Sequence, residues 1–445
     1  MISLMLSACD IHSYEEERGE NMQTMKASRE LENILSTEDM ICKALNIDSI
    51  GDLSPEMIQS IVSISFGVTD KGTSVSLKKL GDAKKYLYIS ENVNLESLDV
   101  LKHFTNLTNV EFNIDTLSQD NIMTLSKLTS LRSITFHQLY DLDYSRLVNI
   151  PTLYEINIHY GLCIMDEHEA VFESLPTDQR IKLKLYGKLY FDKNLDFIHE
   201  HPNIASIEMS VRNQDTVDDI EILSSLDQLE ELSLSLGYQP VIPLRFDRII
   251  HEKAVLRQFK IRNDAIQETN PSFSLDGIEN AQCLEVFSLV GLDIDDISAL
   301  SNVSTLREFY LGGSSITNIQ GLENSLDLSI VVISDCPIYD LRPLNNASEL
   351  TKIEINRCQL SDISALTNKP KLTYLDLDTN QIVDISPLNG SNIRNLYIAN
   401  NPLDNNIARD TFLSIPTLQY YTISQDIGTI SGARGMTEEE AKSTS

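Results

Sequence analysis

The chain has no tryptophan and few of the residues that interrupt a fold. Its 445 residues include only 17 glycines and 13 prolines, and no long low-complexity linker divides it. A single elongated repeat array therefore fits the length as well as several globular domains do. With 42% hydrophobic and 23% charged residues, the chain carries enough apolar material to bury a core, which excludes a disordered protein.

Basic residues are scarce relative to acidic ones. The chain has 35 Lys and Arg against 66 Asp and Glu, a formal net charge of −31. Such a surface repels the phosphates of nucleic acids and the anionic headgroups of lipids. We therefore expect no nucleic-acid partner and no direct electrostatic attachment to a membrane.

Sequence signatures of metal, cofactor and catalytic sites are also missing. There is no C-x-x-C pair, H-E-x-x-H helix, phosphate-binding glycine loop or G-x-S-x-G turn. His168, His199 and His201, and the aspartates Asp293, Asp295 and Asp296, lack the spacing of zinc or EF-hand ligands and are interpreted as loop residues. The sequence predicts no metal, no cofactor and no enzymatic activity.

No apolar run reaches the roughly 18 residues that a membrane-spanning helix needs, yet the first nine residues are distinctive. An apolar stretch ends in Leu6-Ser7-Ala8-Cys9, which resembles the lipobox of bacterial lipoproteins, in which the cysteine thiol carries the lipid. The stretch lacks the basic residues that begin a signal peptide, and its apolar part is shorter than usual. A start codon placed too far downstream would explain both features. The alternative is that these residues are an ordinary chain end. We expect a lipid anchor at Cys9, extracellular exposure, and a polar tether over residues 10–28.

A repeat of 22 residues is clear from Leu284 onward. Its units open at Leu284, Leu306, Leu328, Leu350, Leu372, Ile393 and Leu418. The consensus is L-x-x-L-x-L-x-x-N-x-I-x-x-I-x-x-L: the alternating part predicts a strand with one buried face, and the later spacing of three predicts a short helical or 3₁₀ turn. Because one unit buries too little apolar surface to offset its ordering entropy, the units must stack.

The same strand register continues upstream with irregular spacing. Its units begin at Ile61, Leu107, Leu131, Leu153, Ile204, Leu229 and Leu256, while Leu87 with Ile89 and Leu183 with Leu185 fill two gaps. The predicted fold is α/β: a right-handed leucine-rich-repeat solenoid of about 16 coils over residues 61–424, with a curved parallel sheet on the concave face and short turns on the convex face. A helical cap over 29–60 precedes it, and a flexible tail over 425–445 follows it.

The repeats resemble those of bacterial proteins of internalin type. The resemblance rests on the return turns at Asp296-Ile297-Ser298, Asp362-Ile363-Ser364 and Asp384-Ile385-Ser386, in which each aspartate can cap the turn that follows it. Two features depart from the family. The consensus Asn survives only at Asn380 and Asn401, and the chain has no L-P-x-T-G sorting signal. In neighbouring coils Cys336 and Cys358 replace that Asn, and we expect two buried thiols there and no disulfide.

Residues at positions three, five and seven of each unit are expected to point away from the core. In the last coils these positions carry a group of tyrosines and carboxylates that we predict to be a partner-binding surface: Tyr310, Tyr374, Tyr397, Tyr420, Glu354, Asp376 and Asp378, with Glu308 nearby. Clustered aromatics flanked by charges are typical of protein interfaces. A second, more scattered candidate group comprises Tyr86, Tyr88, His137, His159 and Tyr186.

The resemblance implies a monomeric, lipid-anchored bacterial surface protein that presents its concave face to a protein or glycan partner. A cytoplasmic scaffold or regulatory subunit is the alternative, since other proteins with repeats of 22 residues act in that way.

Overall fold

The structure is a computed structural model, and it describes residues 35–69, 72–79, 86–91, 93–94, 97–114, 117–137, 141–160, 173–177, 179–185, 201–211, 220–236, 253–263, 274–425 and 428–433. The chain divides into two compact units, Met1–Leu131 and Arg132–Ser445. Within the described residues, no helix is long and apolar enough to cross a membrane.

The described part of the first unit includes two short helices, each of which begins at a capping residue. Helix α1 (Thr37–Leu45) opens with a capping box, in which Asp39 N donates to Ser36 Oγ at 3.1 Å and Ser36 N donates to Asp39 Oδ2 at 3.0 Å. Helix α2 (Pro55–Ser60) has Ser54 as its N-cap and proline in its first position. Both arrangements satisfy backbone N–H groups that the first turn leaves free.

The strands of the first unit differ from the prediction at Leu87 and Ile89. They are β1 (Leu35–Ser36), β2 (Ile61–Thr69), β3 (Gly72–Lys79), β4 (Tyr86–Glu91), β5 (Val93–Asn94) and β6 (Asn109–Asn113), and helix α3 (Gln119–Leu125) follows. β2 pairs in parallel with β6, as expected of neighbouring coils, but β3 pairs antiparallel with both β2 and β4. The Leu87 segment is therefore a strand of a meander and not a coil. Alternation of apolar residues predicts a strand but not its direction.

The second unit is a ladder of parallel strands. They are β7 (Ser133–Phe136), β8 (Glu155–Tyr160), β9 (Arg180–Leu185), β10 (Ile204–Val211), β11 (Glu231–Leu236), β12 (Gln258–Asn263), β13 (Val286–Val290), β14 (Glu308–Gly312), β15 (Ile330–Ser334), β16 (Lys352–Asn356), β17 (Tyr374–Asp376), β18 (Asn395–Tyr397) and β19 (Tyr420–Gln425). From β10 to β19 each strand pairs with the next in the register that the repeat predicts.

Positions one, four and six of each coil form the core. In the coil of β17 these are Leu372, Leu375 and Leu377, whose exposed fractions are 1%, 0% and 0%. Position four carries phenylalanine in three successive coils, where the rings of Phe259, Phe287 and Phe309 stack with centroids 6.1 and 5.6 Å apart. Burial of an aliphatic side chain contributes roughly 1.5–3 kcal/mol. The core therefore runs through the stack, and each coil depends on its neighbours.

The predicted aspartate caps are confirmed. Asp296, Asp362 and Asp384 accept hydrogen bonds from the N–H groups of Ser298, Ser364 and Ser386 at 2.7, 2.8 and 2.7 Å. Asp340 and Asn318 make the same contact in their own coils. A side-chain acceptor two residues before the free N–H is a common way to start a short turn.

The residue after position seven adopts a left-handed backbone in successive coils. The positive φ angles are 70° at Gly291, 67° at Gly313, 56° at Asp335, 52° at Arg357, 58° at Thr379 and 56° at Asn400. At Gly291 an added Cβ would lie 2.5 Å from the Asn263 carbonyl oxygen, so glycine is required there on steric grounds as well. This bend lets the chain leave the sheet at the same point in each coil.

The consensus Asn position is occupied by cysteine in two neighbouring coils. Cys336 and Cys358 are buried free thiols, as expected, and burial raises the pKa of Cys336 to about 12.

The predicted C-terminal tail contains a strand. Residues 425–445, predicted to be a flexible tail, include strand β20 (Gly428–Ala433), which pairs antiparallel with β19. The prediction was wrong for these residues because the last parallel strand would otherwise leave its backbone groups unpaired at the sheet edge.

Candidate functional site

The C-terminal face is defined here as the outward side chains at positions three, five and seven of strands β13 to β19. The predicted residues do point outward: Tyr310, Tyr374 and Tyr397 are half-buried by their neighbours, and Tyr420 is 55% exposed. The alternating inward side chains fill the core. These tyrosines are therefore held on rigid strands without belonging to the core.

Two of the tyrosines form a pair at the centre of this group. The ring centroids of Tyr374 and Tyr397 lie 5.4 Å apart with an interplanar angle of 41°. Tyr374 stands opposite Asn395, and Asp376 stands opposite Tyr397, so the two rings meet on a diagonal between adjacent strands. Diagonal neighbours are within reach of aromatic side chains. The pair presents a continuous aromatic surface across two coils.

A lysine lies against one ring of this pair. Lys352 Nζ is 3.0 Å from Glu354 Oε1 and 5.2 Å from the centroid of the Tyr374 ring. This distance is within the range of a cation–π contact. Desolvation by burial, with the nearby Glu354 and Asp376 carboxylates, raises the pKa of Tyr374 to about 12, so its hydroxyl stays protonated. The site thus combines a carboxylate and a ring around one ammonium group.

Carboxylates lie opposite one another on the two strands that carry Lys352 and Tyr374. Glu354 of β16 stands directly opposite Asp376 of β17, and Asp378 follows two residues later. Burial raises the pKa of both aspartates, and a neighbouring carboxylate adds to the rise in each case. Asp378 Oδ1 accepts from Ala399 N at 2.6 Å, and Asp376 Oδ1 accepts from Asp378 N at 3.1 Å. Like charges directly across strands destabilise a sheet.

Tyr310 belongs to the same face but has its own partner. Its hydroxyl donates to Glu308 Oε2 at 2.7 Å. Burial and this hydrogen bond raise the pKa of Tyr310 to about 12. The contact fixes the ring orientation three coils before Tyr374.

The structure adds an aliphatic area that sequence reasoning missed. Val286, Val290, Ile330 and Val332 occupy outward positions on β13 and β15, and Val290 is 37% exposed. The strand register places Val332 beside Glu354 and Ile330 beside Lys352. A count of aliphatic residues at positions three, five and seven would have found this area. Apolar surface next to charged and aromatic groups is typical of protein interfaces.

Most of the other predicted site residues lie outside the part of the chain that the structure describes. The side chains of Tyr86, Tyr88, His159 and Tyr186 lie outside the described part of the structure, and His137 is half-buried in the turn after β7. Cys9, His168 and His199 also lie outside the described residues, whereas His201 is buried. Among the residues that the structure describes, no group of three or more His, Cys, Asp or Glu side chains could hold a metal ion.

Comparison with known proteins supports the repeat assignment. Residues 348–390 match the family model for leucine-rich repeats in two copies, so the predicted repeats are confirmed over these residues. A search of curated proteins finds no match. The chain is similar to three solved structures of bacterial leucine-rich-repeat proteins. Internalin InlF of Listeria monocytogenes is 21% identical, with 87% of this chain and 88% of that chain covered and a TM-score of 0.44.

The other two structures are similar to this chain to a comparable extent. A leucine-rich-repeat protein of Leptospira interrogans is 14% identical, with 75% and 95% of the two chains covered and a TM-score of 0.47. The functional domain of InlJ of Listeria monocytogenes is 17% identical, with 74% and 65% covered and a TM-score of 0.46. The chemistry of the C-terminal face is argued from this chain's own residues.

Proposed function

We propose that this chain is a non-catalytic binding protein of the bacterial cell surface and that its C-terminal face contacts a protein partner. The observation that carries the proposal is the Tyr374–Tyr397 ring pair, held on adjacent strands with aliphatic and acidic side chains around it. The residues proposed to contact the partner are Tyr310, Tyr374, Tyr397, Tyr420, Glu354, Asp376 and Asp378.

A protein suits this face better than a glycan does. The aliphatic side chains Val286, Val290, Ile330 and Val332 adjoin the tyrosines, and a protein partner can cover such a mixture with apolar side chains of its own. The strands also fix the rings before binding, which reduces the ordering cost that an interface incurs. Tyrosine is enriched among the residues that dominate interface energies.

Substitution of the tyrosines tests this role. We expect Tyr374→Ala with Tyr397→Ala to weaken partner binding by about 30-fold or more, because each interface anchor contributes about 2 kcal/mol or more. Tyr420→Ala and Tyr339→Ala form a matched pair, since both side chains are 55% exposed and only Tyr420 lies on the C-terminal face. The measurement is binding of a partner captured by the wild-type protein, with thermal melting as a check on folding.

Two results would contradict the assignment. Equal loss of binding in the Tyr420→Ala and Tyr339→Ala variants would show that the effect is not local to the face. A fall of many degrees in the melting temperature of the Tyr374→Ala, Tyr397→Ala variant would mean that the rings are core residues.

The membrane attachment is proposed to be a lipid at Cys9. The support is the Leu6-Ser7-Ala8-Cys9 sequence, which resembles a lipobox and precedes an acidic, polar stretch. The full chain expressed in a bacterium should incorporate labelled palmitate and partition into detergent, and Cys9→Ala should abolish both. Cys42→Ala is the control, because Cys42 is buried in α1. A wild-type protein that takes up no label and stays in the aqueous phase would favour the cytoplasmic scaffold instead.

A further inference from the structure

We infer that the partner's contacting segment is basic and that one of its lysine or arginine side chains enters the space bordered by Asp376, Asp378 and Tyr397. This inference deepens the proposed function and rests on it. It identifies the chemistry of the partner from the charges, rings and register of the C-terminal face.

Carboxylates outnumber cations around Asp376 on the C-terminal face. Glu354, Asp376 and Asp378 lie on two neighbouring strands, with Glu354 and Asp376 directly opposite each other. Lys352 lies beside them, with its ammonium group 3.0 Å from Glu354, and Arg357, which pairs with Asp335, also interacts electrostatically with Asp376. Glu354 thus has a close counter-ion, while Asp376 accepts hydrogen bonds from Asp378 N and the Asn356 side chain, and Asp378 accepts one from Ala399 N. The sheet retains a like-charge contact that costs stability, and a cation from a partner would relieve it.

Lys352 is held by two kinds of contact. Its ammonium group contacts a carboxylate of its own strand and the face of Tyr374 on the next strand. One strand further, Asp376 and Tyr397 offer the same two chemical groups, a carboxylate and a tyrosine ring, here directly opposite each other instead of on a diagonal. The residue two before Asp376, in the place that Lys352 has relative to Glu354, is Tyr374 and not lysine. The face therefore shows how it holds an ammonium group and repeats the two groups where the chain supplies no lysine of its own.

The site between Asp376 and Tyr397 is partly buried and lies near aliphatic side chains. Tyr397 is half-buried and Asp376 is half-buried, so a cation placed between them is partly shielded from water, and such shielding strengthens charge and cation–π contacts. Val332 and Ile330 lie on β15, two strands from Asp376, a separation of roughly 10 Å. A partner segment that carries a basic and an aliphatic side chain at about that separation fits both areas at once.

A peptide probe tests the inference without knowledge of the natural partner. The probe is a fluorescein-labelled Lys-Val-Lys-Val-Lys-Val peptide, compared with the same peptide acetylated on its lysines, and binding to the full chain is measured by fluorescence anisotropy. We expect Asp376→Asn to weaken binding of the lysine peptide by about tenfold, in the range found for close charge pairs at interfaces. The control is Asp327→Asn, because Asp327 is an exposed carboxylate outside the face.

A second variant pair separates the site from general attraction to an acidic protein. Lys352→Met removes the internal cation, and binding of the lysine peptide should strengthen by about threefold or more. Lys371→Met removes an exposed lysine that pairs with Glu349 away from the face, and its effect should be under about twofold. An increase confined to Lys352→Met is not expected of a residue whose role is structural.

The outcomes separate this inference from the proposed function. Equal weakening by Asp376→Asn and Asp327→Asn, equal binding of the acetylated peptide, or no gain with Lys352→Met would each overturn the basic-partner inference. If the Tyr374→Ala, Tyr397→Ala variant still loses its captured partner under those results, the proposed function stands and only the inference fails. If that variant keeps its captured partner as well, both are wrong.

Discussion

The outward faces of two parts of the sheet carry charge in different ways. On β8 to β11, Arg180 and Lys182 are surrounded by carboxylates: Arg180 pairs with Glu155 at 3.6 Å and with Glu230, and Lys182 pairs with Glu155 at 3.3 Å and Glu231 at 3.6 Å. These side chains are 17–31% exposed. Around β16 and β17, four carboxylates, Asp335, Glu354, Asp376 and Asp378, share two cations: Lys352 pairs with Glu354, and Arg357 pairs with Asp335 and interacts with Asp376.

This difference indicates that the outward face of the sheet serves two purposes. In the earlier coils the charges satisfy one another across strands, as expected of a surface that stabilises its own fold. In the later coils Glu354 and Asp376 face each other and the tyrosines remain accessible. Local costs of this kind are common at functional sites. The C-terminal face is therefore the part of the sheet that we expect a partner to complete.

The largest expected effect tests whether both regions belong to stacks of the same kind. Leu375→Ala in β17 and Leu232→Ala in β11 each remove a core side chain, 0% and 1% exposed, at a cost of about 2–5 kcal/mol. Hydrogen exchange should rise mostly in the coils next to each substitution, because each coil contacts its neighbours. A uniform rise along the whole chain in both variants would argue against coil-by-coil coupling.

The next effect concerns the hydrogen bonds inside the regular coils. Asn380 Nδ2 donates to the carbonyls of Ile355 and Leu377 at 2.7 and 3.0 Å, and Oδ1 accepts from Leu360 N at 3.2 Å. Asn380→Ala leaves these buried groups unpaired and should cost about 1–3 kcal/mol in denaturant unfolding. Cys358→Ala should cost less, because its thiol makes a weak contact with the Asn356 carbonyl at 3.4 Å. Equal losses of unfolding free energy in the two variants would show that the side-chain amide of Asn380 does not stabilise its coil more than the Cys358 thiol does.

The charge networks of the two regions should respond differently to removal of one member. Arg180→Met leaves Glu155 and Glu230 partly buried without their arginine and should cost about 1–3 kcal/mol. Asp335→Asn breaks the pair with Arg357, whose two contacts are 2.6 Å long, yet both side chains are about half exposed. Solvent screens that pair, so the cost should be under about 1 kcal/mol. If Asp335→Asn proves the more costly change, the contrast between the regions is mistaken.

The smallest effect is a dependence of stability on pH. Burial raises the pKa of Asp376 above its usual value of 3.8, so ionised Asp376 destabilises the folded state. This penalty is complete above the folded pKa and fades as pH falls toward 3.8, because the neutral form is then favoured in both states. We expect Asp376→Asn to melt slightly higher than wild type at pH 7 and to lose that advantage near pH 4. A constant difference across this range would contradict the raised pKa.

Much of the regular region could be predicted from the sequence because its spacing repeats. The 22-residue period located the strands, the aspartate caps and the outward tyrosines. The left-handed bend gave no such signal, since arginine and threonine at Arg357 and Thr379 seldom adopt this conformation. The stack imposes it: Arg357 N donates to Asp378 O at 3.1 Å and Thr379 N to Ala399 O at 2.8 Å, each in the following coil.

The irregular region was harder to predict because its register changes. With Leu183 and Leu185 aligned to positions four and six, the template puts Arg180 at the buried first position, but it stands opposite the outward Glu155. The strand register shifts by two residues between the two sides of β9. Lys182 pairs with Asn157 of β8 on one side and with Ser206 of β10 on the other, and the pairing with β10 is irregular between Ile204 and Ser206. A sequence template with fixed offsets has no means of representing such a shift.

Hydroxyl-radical footprinting of the full chain, free and with its captured partner, tests most directly whether the C-terminal face is the binding surface. We predict that Tyr374, Tyr397 and Tyr420 become protected on binding, while Tyr154 and Tyr339, which are 59% and 55% exposed elsewhere on the second unit, react as before. Protection of Tyr154 with unchanged reactivity of Tyr374 and Tyr397 would place the partner on the charge-paired strands and contradict the account.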